Sequence, residues 1–393
     1  QGNTVGGSNA GDSFTGTDAN YNTLFGKDAG TAITTSDENT LFGYQAGAAY
    51  NHSDGGVVAV GYQAMQNATA TANYAFGRQA LQNNTSNGYN AAFGRWSLKE
   101  TTSGYQNSGF GNYTLKETTS GSYNVAVGYD AGRWTTTGEK NTIVGHNAGV
   151  ALTSGYQNTA IGKDALSSQT SGFVTTAIGY NALKNNTASG NTAVGAQAMQ
   201  SNTTGTAHTA VGYLALYSTT AGSEMNTAVG NQAVKNTTTG DFNVGIGNSA
   251  LISNTTGNSN VAIGYQAIKS STTSSENVAV GSQALRANTT GVKNVALGNG
   301  PLYAVTTGDQ NIGIGHYTLG QTTTGEQNIA IGDSAGYNLT SGDNNIIIGH
   351  VADASAHSKS NEITLGNAYH TKFRIPGINF ELADNGGTPT NGH

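Results

Sequence analysis

The stretch Asn260-Val261-Ala262-Ile263-Gly264-Tyr265-Gln266-Ala267-Ile268 returns seventeen residues later as Asn277-Val278-Ala279-Val280-Gly281-Ser282-Gln283-Ala284-Leu285, and again as Asn294-Val295-Ala296-Leu297-Gly298. A motif recurring at one fixed interval marks a stacked architecture, in which each repeat buries its apolar side against the next. Working outward, the anchoring glycine continues to Gly26 in one direction and to Gly366 in the other. Twenty intervals cover the 340 residues between them, a mean of 17.0. Slips of one residue, as between Gly43, Gly61 and Gly77, are corrected at once, so each coil contains a length-tolerant loop.

With the anchor glycine as zero, position −1 is apolar throughout, as in Phe25, Phe93, Val127 and Ile263. Positions −2 and +3 are mostly Ala, and +4 is commonly Leu, Met or Ile, with Gly in some coils. A second glycine recurs at +10, usually after Thr or Ser. Alternation of −3 and −1 against −2 has the period of a strand and not of a helix. Two extended segments are therefore expected, near −4 to −1 and +2 to +6. The glycines would stand at the bends, where positive φ or close backbone approach excludes a β-carbon. Within one unit, Ile263 is expected in the core, Gly264, Gly281 and Gly332 at bends, and Asn260, Asn277 and Asn328 at corners. The Ala columns would form a flat outer face for close approach of another chain.

Asn stands at −4 in 17 of 21 coils, the exceptions being Val57, Thr175, His208 and Glu362. Stacked asparagines can pass side-chain amide hydrogen bonds from coil to coil, as in cross-β ladders. The expected fold is an all-β parallel β-solenoid of about 21 coils with a 17-residue period. Residues 1–20 read as an N-terminal cap with a degenerate repeat, whose anchor is Gly6, 20 residues before Gly26. Residues 21–366 form the repeat body, and 367–393 a C-terminal cap or junction.

Composition supports order without a globular core. The 393 residues include 57 Gly and only 10% charged residues, against roughly 25% in a typical soluble domain. Disordered chains of low hydrophobicity usually carry high net charge; this one carries −6 and places β-branched or aromatic residues at fixed intervals. With no cysteine, disulfides and thiolate metal sites are excluded. The mild acidity and lack of Lys/Arg clusters argue against nucleic acid. No apolar run approaches the roughly 18 residues of a membrane span. Starting at Gln1 without Met or a signal peptide, the chain reads as a processed or trimmed product.

Chemical sites are sparse. His146, His316 and His350 share position +1 with Tyr, Asn, Lys and Arg, the mark of a tolerant surface column. Paired carboxylates at glycosidase spacing are not apparent. Gly308-Asp309 and Gly342-Asp343 hint at calcium, but calcium β-rolls repeat their Asp in every turn and this chain does not. No catalytic residue, metal site or cofactor is expected. The candidate binding surface is the +1 tyrosine column: Tyr44, Tyr62, Tyr129, Tyr180, Tyr213 and Tyr265. These rings suit either sugar stacking or packing between coils.

The units Asn260 to Gly264, Asn328-Ile329-Ala330-Ile331-Gly332 and Asn158-Thr159-Ala160-Ile161-Gly162 resemble the head repeats of trimeric autotransporter adhesins, although those coils are a few residues shorter. The tail, Asn361-Glu362-Ile363-Thr364-Leu365-Gly366-Asn367 followed by Phe373-Arg374-Ile375-Pro376-Gly377-Ile378, resembles the segment before the intramolecular chaperone domain of phage tail fibres. These resemblances imply a left-handed β-roll that associates as a homotrimer. They also imply an extracellular, non-enzymatic rod: a phage tail-fibre shaft or receptor-binding segment that attaches to polysaccharide or protein on a host cell. A bacterial surface adhesin of the same architecture is the alternative. The Thr-rich bend at +7 to +9 suggests, more remotely, an ice-binding solenoid.

Overall fold

The computed structural model describes residues 2–15, 18–220 and 222–370. Among them the chain forms 22 strands of three residues each, from β1 (Thr4–Gly6) to β22 (Ile363–Leu365), and no helix. Each strand pairs in parallel with its neighbours in sequence. Thus β16 (Val261–Ile263) sets Val261, Ala262 and Ile263 opposite Val278, Ala279 and Val280 of β17 (Val278–Val280). Repeated from Thr4↔Thr23 to Ile348↔Leu365, this register makes a parallel β-solenoid of about 21 turns. Residues 371–393, the greater part of the expected C-terminal cap or junction, lie outside the described residues.

The strand occupies −3 to −1, as the alternation predicts, but the expected second extended segment is absent. In the quoted unit, residues 265–270 are a run of turns because Gln266 (φ 54°) and Ile268 (φ 46°) adopt left-handed conformations. Such conformations cost about 1 kcal/mol or more each for non-glycine residues. Here each aims its N–H at another coil: Gln266 donates back to Asn248 O at 3.0 Å, and Ile268 forward to Ala284 O at 3.0 Å. The stack thereby fixes the turn. The left-handed residues reverse the chain too often for an extended segment, yet still send +3 and +4 inward.

For columns −1, −2 and +3, core and surface are the reverse of the expected assignment, whereas +4 lies in the core as its apolar residues imply. Ala262, Ala267 and Ile268, at −2, +3 and +4, are fully buried, whereas Ile263 and its −1 equivalents face outward, with Phe25 52% exposed. The physical cause is the narrowness of the coil. One strand packs against one turn, and the gap between them admits methyl groups and one larger side chain per coil. The bulky −3 and −1 residues share the opposite pleat and must point out.

In several coils positions −2 and +4 exchange volume. Where −2 is Leu24, Leu41 or Ile143, position +4 is Gly30, Gly47 or Gly149. A β-carbon at Gly47 would stand 2.8 Å from Leu41 Cδ1, and one at Gly30 would stand 3.1 Å from Leu24 Cδ1. Close packing enforces the exchange, since an added methylene strains the core and a missing one leaves a void.

The anchor glycine is required on two counts. Gly264 has φ +138°, and a β-carbon there would lie 2.3 Å from Gly281 O of the next coil. The first anchor is Gly7 (φ +124°) and not Gly6, because Gly6 pairs with Phe25 at −1. The degenerate copy therefore sits 19 residues, not 20, before Gly26.

The asparagine ladder forms as expected. Asn260 Nδ2 donates to Asn243 Oδ1 at 3.1 Å and to Ser274 O at 2.8 Å. Its own Oδ1 accepts the backbone N–H and the side-chain amide of Asn277, both at 3.1 Å. Each buried amide thus bridges three coils and closes the bend beside the strand. The ladder tolerates its exceptions where they present only a backbone donor: Val57 N to Asn39 Oδ1 at 3.2 Å and Thr175 N to Asn158 Oδ1 at 3.1 Å.

Candidate functional site

Two surfaces follow from this cross-section. The first is the outward face of the sheet, made by columns −3 and −1. Column −1 is Phe, Val, Ile or Leu from Phe25 to Leu365, and column −3 is mainly Thr, Val and Ile. Neither column holds a charged residue. Near the N-terminal end the rings stack: Phe25 on Phe42 at 5.2 Å, Phe76 on Phe93 at 4.7 Å and Phe93 on Phe110 at 4.9 Å. From Val261 to Ile348 both columns are aliphatic. Sequence reasoning found these residues but placed them inside. The signal that identifies them is the −2 alanine, too small and too regular to be a surface choice.

The second surface is the edge formed by positions +1, +2 and +5. All six tyrosines singled out in the sequence lie here and are exposed. Tyr44 stacks on Tyr62 at 5.3 Å, and Tyr129 on His146 at 5.4 Å. Arg78 lies over Tyr62 and Lys163 over Tyr180. The structure brings Tyr44 and Tyr62 together and leaves Tyr129, Tyr180, Tyr213 and Tyr265 in coils apart from one another. The +2 column was not anticipated. It adds Trp96 and Tyr113, packed edge to face at 5.0 Å, with Arg95 4.1 Å from the Trp96 ring centre. Elsewhere +2 and +5 are bridged by glutamine: Gln66 Nε2 donates to Gln45 Oε1 at 2.7 Å and Gln197 Nε2 to Gln200 Oε1 at 3.0 Å, while Gln82 Nε2 links +5 to +5 by donating to Gln66 Oε1 at 2.7 Å.

The titratable groups serve the stack. Asp309 and Asp343, the calcium candidates, accept backbone N–H bonds from Val292 at 2.7 Å and Glu326 at 2.9 Å in the preceding coils. Among the described residues no group of three or more His, Asp or Glu is arranged to hold a metal ion. Asp333 accepts the Ser334 hydroxyl at 2.8 Å and sits 3.5 Å from His316 Nδ1. The hydroxyl, and then the imidazole, hold its carboxyl below the usual range. Threonines at +8 donate to carbonyls one coil on, as Thr255 does to Thr272 O at 2.8 Å. No described helix is long and apolar enough to cross a membrane.

No protein-family model matches the chain, and no curated protein matches it in sequence.

Proposed function

We propose that the protein is a homotrimeric extracellular rod, the shaft or receptor-binding part of a phage tail fibre, that presents its +1/+2/+5 edge to a host surface. The observation carrying this reading is the uncharged outward face of the sheet. It is apolar along column −1 from Phe25 to Leu365 and along column −3 from Val244 to Ile363, with threonine at −3 from Thr142 to Thr227. At the strand spacing of about 4.8 Å, 22 strands extend about 100 Å, and three residues of strand add a width of about 10 Å. The face therefore covers roughly 1,000 Å², beyond the few hundred Å² usual for an exposed patch on a monomer. It also exceeds the roughly 800 Å² per partner of a standard stable interface. A second copy of the same chain is the natural cover, because only another rod of equal repeat matches it along the whole length. Three-fold association is the part supplied by the resemblance to adhesin head repeats.

The rod reading is non-enzymatic. Many of its polar groups are engaged in coil-to-coil bonds, and the threonine hydroxyls at +8 of the bend donate to the next coil's carbonyls, as Thr255 and Thr289 do.

Light scattering tests the assembly. The trimer predicts a particle near 120 kDa, three times the 40.0 kDa chain, and a particle near 40 kDa overturns it. Ile263→Glu with Val280→Glu should shift the wild-type particle to the monomer mass with an unchanged far-ultraviolet spectrum. Tyr265→Glu, on the other edge, should leave the mass unaltered.

A further inference from the structure

We propose that the rod edge between the coils anchored at Gly315 and Gly349 binds an uncharged pyranose unit of a saccharide. A cavity of about 330 Å³ opens there, lined by Tyr317, Ser334, Tyr337, Asn338, Val351 and Asp353. That volume lies at the lower end of the range for small-ligand sites.

The cavity has a definite origin in the repeat. In many coils the furrow between +2 and +5 is filled by long amide or guanidinium side chains, as in the glutamine bridges above and in Arg286 Nε to Gln266 Oε1 at 3.3 Å. At +2 of the coil anchored at Gly332 stands Ser334, too short to cross it. The two tyrosines are also drawn aside. A β-carbon on Gly300 would lie 2.7 Å from Tyr317 Cε1, and one on Gly320 would lie 2.8 Å from Tyr337 Cδ2. Each ring therefore lies back over a glycine of the preceding coil, a position that any larger residue would deny it. The rings become walls of the furrow and not fillers of it.

The polar lining fits hydroxyl groups. Asp353 occupies a +4 position held by Gly336 in the preceding coil and by Leu319 and Leu302 in the two before that. Its Oδ2 accepts Asn338 Nδ2 at 2.6 Å and Asn338 N at 3.3 Å, and its Oδ1 accepts Ala354 N at 3.0 Å. The carboxylate is held in place while lone pairs remain to accept further donors. Two aromatic walls beside a fixed carboxylate and amide are complementary to a pyranose, which offers an apolar C–H face and a rim of hydroxyls. The lining holds no Lys or Arg, and Asp333 stands beside Ser334. Like-charge repulsion thus disfavours uronic and sialic acids.

The proposal goes beyond the fibre reading and does not need the trimer, since all six lining residues belong to one chain. A monomer mass in light scattering would remove the trimer and leave this site intact.

Saturation-transfer difference NMR on the full chain is the test. The probes are methyl pyranosides of glucose, galactose, mannose and N-acetylglucosamine, with glucuronic and sialic acids for comparison. At least one uncharged pyranoside should give transfer, with a Kd in the millimolar range expected of so small a ligand. Ser334→Gln, which installs the side chain other coils carry, should abolish the signal with an unchanged circular dichroism spectrum. Tyr337→Ala should weaken it at least tenfold. Absence of transfer from every uncharged probe, transfer that survives Ser334→Gln, or stronger transfer to the acids would each overturn the assignment.

Discussion

His208 accepts the backbone N–H of Asn226 through Nδ1 at 3.1 Å, the contact made elsewhere by an asparagine oxygen. Its Nε2 lies 3.1 Å from Ser223 Oγ. Because Nδ1 acts as acceptor, the ring proton belongs on Nε2, where it is shared with the serine. A second proton would have to displace the Asn226 bond.

Burial accordingly pushes the His208 pKa down to about 4, the Ser223 contact and Asp241 opposing it weakly. The unfolded chain takes up the proton near pH 6.5 and the folded chain only near 4, so between those values the unfolded state binds more protons. His208 therefore stabilises the fold above pH 6.5, and that contribution, on the order of 3 kcal/mol, disappears as pH falls towards 4. Denaturant midpoints at pH 7.5 and pH 4 should differ more for the wild type than for His208→Asn, which restores the amide ladder. Equal pH dependence in the two proteins would refute the role.

Removal of one rung should be costly in the middle of the ladder. Asn260→Ala leaves Ser274 O without its amide donor and Asn277 N without its acceptor, both within the buried bend. At 1–3 kcal/mol for each buried group left unpaired, the loss should be about 2–6 kcal/mol. Coil contacts are nearest-neighbour, so hydrogen exchange should quicken in strands around residues 244–280 and stay unchanged around residues 74–93. Uniform acceleration along the rod would contradict local coupling.

Leu41 and Gly47 should show energetic coupling. Leu41→Ala opens a void worth about 2–5 kcal/mol, and Gly47→Leu drives a side chain into Leu41. The double variant reproduces the pattern of the next coil, Ala59 with Met65, whose φ of 51° matches the 56° of Gly47. Its stability should lie above that of either single variant, a coupling beyond 1 kcal/mol in a double-mutant cycle. Simple additivity would show that the volume exchange is coincidental.

Two glycines of positive φ should respond very differently to alanine. Gly264→Ala meets Gly281 O at 2.3 Å, whereas a β-carbon at Gly190 (φ +75°) meets nothing within 4 Å. Thermal unfolding should show a loss on the order of 3 kcal/mol or more for the first, and about 1 kcal/mol for the second from backbone strain alone. Similar losses at both positions would discount the close approach.

The period, the strand and the amide ladder were legible because each is a repeated demand on one residue type. Gly at zero, Asn at −4 and the −3/−2/−1 alternation leave few other readings. Which pleat faces inward was not legible from Ile263 alone, because alternation has no sign. Coil width supplies the sign, and width depends on a turn whose left-handed residues, such as Gln266 and Ile268, carry no glycine to announce them. The tyrosine column was visible from its spacing. The cavity beside Ser334 was not, since it depends on rings displaced by glycines a full coil away.

A cross-section that repeats at every level makes length a variable independent of everything else. Loss of the 17 residues from Gly247 to Ile263 would bring Ile246 to the place of Ile263 and Asn243 to that of Asn260, with core, ladder and outer columns still in register. The rod would shorten by one strand spacing, about 4.8 Å. Recombination between neighbouring repeats in the gene removes or adds whole codons in such units. Reach can therefore drift from one generation of rods to another without any change in what the surface presents.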